Sequence, residues 1–513
     1  MRDDNTHVTM DAHQAPAPEK IPADLVGAIA ATAILSFLGL FLETVLNVLF
    51  PALMSDFGVG MSDVQWMTSG YLLVVSIVMP ITGWLQRRFT QRTLFFTAAG
   101  TIFAGALIAA IAPSYPILLI GRLLQGVGTG ITTPLMFTII LTRSPRAKLG
   151  QLMGVGALSL GVAPALGPFI GGIIGEISTW RTIFWAALVL VAISFACGWA
   201  SIRGGAGQTV ALDWRQVGAI AVTFVGLILG VERLGAALAT AAGPVEYGTA
   251  IALIVVGVAA GAAFVLVNRS SDSPVIRLSV LAHPTYRYGL LAFSFFQFAA
   301  LGLGYLLPNA AQLGLGMGSM QAGMLVLPGA VLGGVMAPIS GSLLDRFGPR
   351  TPIVAGAGIA LVAAVMLAAR GSHLNGYWMA AFYFLFMFGF GLAYTNTQTH
   401  AMAHASRELT ADGTALMNTV QQFFGAVAMT ILSTVVAMAQ VGTQSGTASY
   451  MEATSSGVFY GFVVVAVVVA VALGFEWMSM RTSRMVGAAS ASSAAPASDA
   501  ENTLTGTSDE HVA

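Results

Sequence analysis

The stretch PISGSLLDRFGPR, from Pro338 to Arg350, has an earlier counterpart in PITGWLQRRFTQR, from Pro80 to Arg92. Aligned without gaps, the two stretches share seven identical residues, and each one closes a long apolar run. A chance packing pattern would not recur at the same point of two hydrophobic segments. We therefore interpret the pair as the trace of an internal duplication.

Composition identifies the class of protein. The chain has 513 residues, of which 56% are hydrophobic and 9% are charged, whereas roughly 25% are charged in an average soluble domain. Such a chain is expected to be solvated by lipid. Its formal net charge is zero, which argues against nucleic acid as a partner.

Apolar runs of about 20 residues, enough to cross a hydrocarbon layer of about 30 Å, recur along the whole chain. The predicted spans are 25–50, 64–85, 94–112, 115–141, 149–175, 182–202, 216–236, 248–267, 286–312, 321–344, 352–369, 376–400, 413–439 and 455–479. Backbone groups in lipid must be paired within a segment, and runs this continuous exclude a barrel of strands. We predict an all-α integral membrane protein with fourteen transmembrane helices.

The distribution of Lys and Arg predicts the orientation. With the N-terminus in the cytoplasm, 18 of the 22 basic residues lie inside, 2 lie outside and 2 lie within spans. This bias places both termini in the cytoplasm of a cell whose inner membrane holds this multi-pass protein. The first residues lack the basic region and cleavage site of a signal peptide, so the first span is expected to be retained.

The paired loops close the second and tenth spans, so the duplication advances by eight helices. This predicts a cytoplasmic tail at 1–23, an N-terminal six-helix half at 24–202, two inserted helices with linkers at 203–285, a C-terminal six-helix half at 286–480, and a disordered tail at 481–513. Parallel repeats of six spans are typical of secondary transporters, whose substrate site lies between the halves near mid-membrane.

The second loop carries a pattern of the form G-x-L-x-D-R-x-G-x-R, formed by Gly341, Leu343, Asp345, Arg346, Gly348 and Arg350. The first loop keeps Gly83, Leu85, Arg88 and Arg92, but has Arg87 in place of the acid and Thr90 in place of the glycine. Over about residues 20–480 the chain resembles the fourteen-span drug:proton antiporter family of the major facilitator superfamily. The resemblance implies a major facilitator fold in which these loops latch one conformation. The alternative is that they are basic turns that only hold the topology.

GVGALSLGVAPALGPFIGGIIG, from Gly154 to Gly175, resembles the motif that marks antiporters in that superfamily. Its glycines recur every four residues and allow close approach of a neighbouring helix, while its prolines can kink the helix. The residues concerned are Gly161, Pro164, Gly167, Pro168, Gly171 and Gly172. The resemblance implies antiport, with this helix at a sliding seam between the halves.

Two charged residues lie at matching depths in the first and fourth spans. Glu43, in FLETVLNVLFPAL, is about 10 Å before the outer end of its helix, and Arg122, in LIGRLLQGVGTG, is about as far after the outer start of its own. An arginine within a span costs about 2.5–3.5 kcal/mol unless it meets a partner or water. We hypothesise that Glu43 binds or releases a proton as Arg122 moves relative to it. The alternatives are a static ion pair and an arginine that reaches the outer surface.

Other polar residues at membrane depth are candidate site residues. Glu232 is either an interfacial residue or an accessory proton or cation site, and Glu476 is expected to face the cytoplasmic interface. The candidate cavity residues are Asn47, Gln125, Gln297, Tyr305, Asn309, Tyr394, Asn396 and Gln421. His400 and His404 are one helical turn apart, but no acid or cysteine completes a set of ligands, so no metal site is predicted.

The chain has no HExxH motif, no P-loop and no plausible Ser/His/Asp cluster. An enzyme or an ATP-driven pump is therefore not expected, and no cofactor is needed beyond a proton gradient. The predicted function is proton-coupled efflux of amphipathic or hydrophobic compounds by alternating access, as in multidrug antiporters that confer antibiotic resistance. Small amphipathic substrates and lipid are the expected partners of a monomer. The alternatives are a dedicated exporter of one metabolite, bile salt or lipid, and a proton-coupled importer.

Overall fold

The computed structural model describes residues 21–145, 148–204, 213–239, 243–271, 273–371, 375–404, 409–444 and 446–493. Within these residues the chain forms fourteen long helices and no strand. They are α1 Ala23–Phe57, α2 Met61–Arg88, α3 Gln91–Ala110, α4 Tyr115–Arg143, α5 Leu149–Ile177, α6 Arg181–Ser201, α7 Trp214–Ala239, α8 Pro244–Ser270, α9 Pro284–Gly314, α10 Ser319–Phe347, α11 Arg350–Arg370, α12 Gly376–Ala403, α13 Thr410–Gln440 and α14 Ala448–Ser493.

Among the described residues, thirteen of these helices contain stretches long and apolar enough to cross a membrane. The remaining helix, α5, has 29 residues and no charged residue from Leu149 to Gly175. Large apolar side chains that face outward, such as Leu266 on α8, are stable there because lipid surrounds them. The predicted all-α membrane fold is confirmed.

The packing of helices repeats along the chain. In the first six helices, α1 packs on α4, α5 and α6, α2 packs on α4, and α3 packs on α4 and α6. The same contacts recur eight helices later: α9 packs on α12, α13 and α14, α10 packs on α12, and α11 packs on α12 and α14. The two loops at 80–92 and 338–350 are also separated by eight helices.

The halves meet along two seams, α2 with α13 and α5 with α10, which are again related by the step of eight. The remaining helices, α7 and α8, pack mainly on each other, and α7 also contacts α13 and α2. The linker after α8 is held to α13 by Arg277, whose backbone N and Nε both donate to Asp412, at 3.1 and 3.0 Å. The boundaries predicted at 203–285 stay a prediction.

One tail differs from the expectation. Residues 481–493 continue α14 as helix, whereas the sequence predicted a disordered tail from 481. The reason is local: alanine, methionine and arginine have high helix propensity, and no proline interrupts the stretch. The tail at 1–20 lies outside the described residues.

Candidate functional site

The two faces of the bundle are named by helix ends. The terminal face is the one at which α1 begins, where Arg143 at the end of α4 forms a 2.8 Å ion pair with Asp24. The opposite face is the one at which α1 ends. At the opposite face α1 changes from α-helix to a 3-10 turn at Leu46–Leu49.

Pro51 explains part of this change, because it has no N–H to donate to the carbonyl of Asn47, four residues earlier. That carbonyl instead accepts a 3.2 Å hydrogen bond from Asn309 Nδ2 on α9. The next carbonyl, Val48 O, accepts a 2.7 Å bond from Gln312 Nε2. The broken end of α1 is therefore completed by the other half of the protein.

Glycines of α5 bring three helices together at the same face. A Cβ on Gly171 would lie 2.5 Å from Val45 O on α1, and a Cβ on Gly172 would lie 2.6 Å from Ser319 O on α10. Ser319 Oγ also donates to Gly172 O at 3.2 Å. A Cβ on Gly167 would likewise be too close to α1. A Cβ on Gly323, on α10, would be too close to the carbonyl oxygen of Pro168. The helix that resembles the antiporter motif therefore lies in the α5–α10 seam.

Glu43 is buried midway along the molecule and is only 2% exposed. Its carboxyl lies near the side chain of Gln422, on α13 of the other half. The Oε2 atom has no hydrogen-bond partner. A buried carboxylate oxygen without a donor is costly, whereas a protonated carboxyl carries its own donor. This geometry suits a group that changes protonation state.

Arg122 is completely buried, and its guanidinium is fully engaged. Nε donates to Met67 O at 3.1 Å, Nη1 to Gln125 Oε1 at 2.6 Å, and Nη2 to Leu42 O at 3.2 Å. Leu42 O is available because the N–H of Leu46, its partner in a regular helix, turns to Thr44 O. The guanidinium carbon also lies 4.4 Å from the centre of the Tyr71 ring. Arg122 thus ties α1, α2 and α4 together.

The hypothesised direct pairing of Glu43 with Arg122 is not found: the two form no salt bridge in this conformation. Each still interacts electrostatically with the other and with Tyr71. The reason is that backbone carbonyls and Gln125 already satisfy the guanidinium. Arg122 therefore does not reach the outer surface either, and the static ion pair is not the observed arrangement.

The C-terminal half contributes an aromatic and amide wall. Tyr394 donates its hydroxyl to Gln297 Oε1 at 2.8 Å, and its ring stacks between Phe293 and Phe390, with centroids at 4.3 and 4.5 Å. Tyr394 is also within electrostatic reach of Glu43. The structure thus brings Glu43, Gln422, Tyr394 and Gln297 towards one central region, here called the central site.

The other candidate cavity residues have individual partners. Asn47 Oδ1 accepts from Thr68 at 3.0 Å, and Asn396 Nδ2 donates to Ser340 O at 3.0 Å. Tyr305 is buried with an unpartnered hydroxyl. Gln421 is partly exposed. Asn309 belongs to the closed face described above, and Gln125 holds Arg122. Their assignment to a substrate cavity stays a prediction.

The paired loops share one contact and differ in their turns. Arg88 lies over Phe89 at 5.8 Å, and Arg346 lies over Phe347 at 5.3 Å. In the second copy Gly348 ends α10 with φ +73°, a conformation that favours glycine. In the first copy Thr90 has φ −69° and caps α3, accepting from Thr93 N at 3.1 Å. A glycine is therefore not needed there.

Four other loop residues are described. Arg92 donates to Ile202 O at 3.3 Å and lies over Trp199, so it holds α6. Gly83 and Gly341 have open space where a Cβ would point, and Arg350 is exposed. The side chains of Asp345, Gly161 and Pro164 lie outside the described residues, so the roles expected of them stay predictions.

Glu232 lies away from the central site. Its neighbours are Trp66 and Asp63 at the opposite-face end of α2 and the adjacent Arg233. The structure therefore does not bring it together with Glu43 and Arg122, because α7 packs outside the α2–α13 seam.

Sequence reasoning left out Gln422 of the central site and Tyr71 beside Arg122, and it misplaced a third acid. Tyr71 and Gln422 were not among the candidate site residues, although Gln422 lies in a polar run that the sequence shows. Glu476 was expected at the interface, but it is 1% exposed and accepts a hydrogen bond from Thr397 on α12. Its burial follows from the packing of α14, which hydropathy alone does not indicate.

Comparisons with known proteins agree with this geometry. A family model of the Major Facilitator Superfamily matches residues 32–429. The lincomycin resistance protein LmrB of Listeria monocytogenes is 33% identical over 435 residues, which cover 84% of this chain and 88% of that protein. The multidrug resistance protein B homolog of Mycobacterium tuberculosis is 28% identical over 356 residues, covering 68% and 63%. A POT family transporter in complex with 5-aminolevulinic acid shares the fold, with a TM-score of 0.63, 14% identity and coverage of 89% and 96%.

Proposed function

The chain belongs to the major facilitator superfamily, and on that premise we propose that it exports amphipathic or hydrophobic compounds in exchange for protons. It is a multi-pass membrane transporter, as the family and the helices show. The observation that carries the proposal is Glu43, a carboxyl buried at the centre, with one unpartnered oxygen and with Gln422 of the other half beside it. Resistance proteins among the relatives support drug efflux.

The orientation belongs to the proposal. The distribution of Lys and Arg supports a cytoplasmic terminal face, in a cell with this protein in its inner membrane. The hydrogen bonds of Asn309, Gln312 and Ser319 to the N-terminal half then lie on the outer side. The described conformation would be closed to the outside, ready to take substrate from the cytoplasm or the inner leaflet.

Protonation of Glu43 would couple the export of substrate to the entry of protons. A substrate that enters the central site from the cytoplasm favours the ionised carboxylate, particularly if the substrate is cationic. When the halves rock open to the outside, a proton from that side neutralises Glu43 and weakens its hold on the substrate. Arg122 keeps α1, α2 and α4 together as the field around Glu43 changes. The proton leaves to the cytoplasm when the outer side closes again.

The wall of the central site suits substrates of varied shape. Stacked Phe293, Tyr394 and Phe390 offer flat apolar surface, and the amides of Gln297 and Gln422 offer both donors and acceptors. Sites of this kind adapt to several ligands better than a rigid set of charged contacts does. The proposal therefore favours a multidrug exporter. One chain supplies both halves of each seam, so we propose that it works as a monomer.

The loops would latch the alternative state. When the cytoplasmic side closes, the ends of α2 and α10 approach the other half, and the basic residues Arg88 and Arg346 become available to acidic partners or helix C-termini there. Asp345, beside Arg346, would be part of that latch. The open space around Gly83 and Gly341 is the room into which another helix would move.

The test uses energised inverted membrane vesicles that hold a pH probe in the lumen, in a medium that contains a fluorescent cation. Addition of several chemically unrelated compounds should release protons from the vesicle lumen, and Glu43→Gln should remove this response while the protein remains in the membrane. A response to one compound alone would instead indicate a dedicated exporter. Normal efflux by the Glu43→Gln variant would refute the coupling role of Glu43.

A further inference from the structure

A second buried acid lies apart from the central site. Glu476 is on α14 and is 1% exposed. Its Oε1 accepts a hydrogen bond from Thr397 Oγ1 on α12, and its Oε2 has no partner. The transport mechanism proposed above makes no use of this group.

A row of polar side chains leads from Glu476 towards the terminal face. Both α12 and α14 run towards that face, and both Thr397 to His404 and Glu476 to Ser483 cover about 10 Å. At the far end His404 Nε2 lies 3.0 Å from Ser483 Oγ. Between the ends is His400, whose ring centroid is 4.8 Å from that of His404. We call these five residues the α12–α14 row.

His400 is the buried group of the row that can accept a proton. It is 7% exposed, and its Nε2 atom has no hydrogen-bond partner. His404 Nδ1 lies 2.9 Å from His400 O, and its other nitrogen meets Ser483 near the surface. Imidazole is suited to relaying protons, because one nitrogen accepts a proton while the other releases one. The unpartnered groups, Glu476 Oε2 and His400 Nε2, are therefore an acid and a base without another role.

Among the residues that the structure describes, the other titratable groups around the row are engaged elsewhere or exposed. From α9, the Tyr286 hydroxyl donates to Gly413 O at 2.7 Å, and Tyr288 stacks on Phe475. From α13, Asp412 is held by Arg277. From α11, Arg350 is exposed. On α14 itself, Arg481 lies over Trp477.

We propose that Glu476 is a second proton-binding site, which exchanges its proton with the cytoplasm through His400 and His404. In the exchange, a side-chain movement or a water molecule first bridges the two unpartnered atoms; the O–H bond of the Glu476 carboxyl then breaks and an N–H bond forms on His400 Nε2. The resulting imidazolium then loses a proton towards His404 and Ser483. Net transfer is one proton, from the carboxyl to water at the terminal face. The direction to the cytoplasm rests on the proposed function, but proton binding at Glu476 does not.

The row also has a path to the central site. Tyr394, which is within electrostatic reach of Glu43, lies one helical turn before Thr397 on α12. A movement of α12 that accompanies substrate binding would therefore disturb both acids. Transport would then exchange more protons per substrate than Glu43 alone supplies.

The first test measures proton binding directly. Infrared difference spectra of the purified protein are recorded as the pH is changed, in the region of the protonated carboxyl C=O stretch. We expect a buried, titrating carboxyl band in the wild type that is missing in Glu476→Gln and retained in Glu452→Gln. Glu452 is the matched control because it is an exposed acid on the same helix. Identical spectra for wild type and Glu476→Gln would overturn the proposal.

The Glu476→Gln substitution is chosen so that the variant should still fold. The amide oxygen that Glu476→Gln introduces would still accept from Thr397, and thermal unfolding checks the variant. If it unfolds, Thr397→Val serves instead, because it removes the donor and should shift the Glu476 band while keeping the side-chain shape. An unshifted band would equally overturn the assignment.

The second test measures how fast Glu476 loses its proton through the α12–α14 row. After a rapid pH jump, His400→Gln should slow deprotonation of the Glu476 band at least tenfold, whereas His283→Gln, in the linker before α9, should leave the rate unchanged. An equal rate in both variants would refute the relay. A titrating band in a protein that shows no proton-coupled efflux would refute the proposed function alone. Intact antiport without the band would refute this inference alone.

Discussion

The side chain of Gln422, on α13, lies beside the carboxyl of Glu43, on α1. The buried acid of one half thus faces a polar side chain of the other half. In the proposed alternating access the halves separate and re-form around this point, so a change in the charge of Glu43 would change an interaction across the seam. This relationship makes Glu43 the most informative position to alter.

Replacement of Glu43 by glutamine keeps the size of the side chain and its contact with Gln422 but removes the titrating group. We expect substrate binding to weaken, most of all for cationic substrates, and efflux to lose its dependence on the pH gradient. Transport assays at several imposed gradients, with substrate affinity measured in parallel, check this. Glu246→Gln, at an exposed acid that begins α8, should behave as the wild type. If both variants keep the same gradient dependence, Glu43 does not couple the fluxes.

Replacement of Arg122 by alanine should destabilise the N-terminal half. Leu42 O and Met67 O would lose a charged donor while still buried, and each such loss costs about 1–3 kcal/mol. We expect the free energy of unfolding to fall by about 3 kcal/mol, measured by denaturant or thermal unfolding in detergent. Arg484→Ala, at an exposed position of α14, should change it by less than about 0.5 kcal/mol. Equal stability of the two variants would contradict the role of Arg122 as a structural tie.

Replacement of Gly172 by alanine should push the α5–α10 seam apart, because the added Cβ would lie 2.6 Å from Ser319 O. Overpacking of this kind costs about 1–3 kcal/mol, so we expect the closed opposite face to lose roughly tenfold or more in population. Spin labels at Ile177 and Tyr377, both exposed, report the distance across that face once Cys197 has been replaced. Gly100→Ala, where a Cβ meets nothing within 4 Å, is the control. Unchanged distances in Gly172→Ala would contradict the role of this seam in closing the opposite face.

Replacement of Pro51 by alanine restores an N–H that can pair with Asn47 O within α1. Asn309 Nδ2 would then lose one of its two acceptors and keep only Tyr305 O, at a cost of about 1 kcal/mol. The same pair of spin labels should show a few-fold shift towards the open opposite face. Pro116→Ala, at the start of α4 where proline is well tolerated, should show no shift. A shift of equal size in both variants would mean that the effect is not specific to the break in α1.

The sequence predicted the helices because hydrophobic length is a local property. All fourteen predicted spans correspond to helices, with ends that differ by a few residues in most cases. The shared depth of Glu43 and Arg122 also followed from counting residues along a helix. Both side chains are buried in the structure.

The partners of these residues could not be read from the sequence. Arg122 binds carbonyls that become available where α1 departs from regular helix, and no sequence pattern specifies which carbonyl is left without its N–H. The burial of Glu476 depends on the approach of α12 to α14, two helices that are separated in the chain by α13. Thr90 stands where the second loop has a glycine, but the first loop turns without a positive φ, so it does not need a glycine.

The most direct test of the account uses purified protein in liposomes, with no other transporter present. A permanently charged quaternary ammonium dye is added outside, since protonation cannot trap such a cation, and the lumen is made acidic relative to the medium. We predict that the dye accumulates inside and that the lumen loses protons faster when dye is present, with neither effect in protein-free liposomes. Dye movement that is the same with and without the pH gradient, and no change in proton flux, would contradict proton-coupled export.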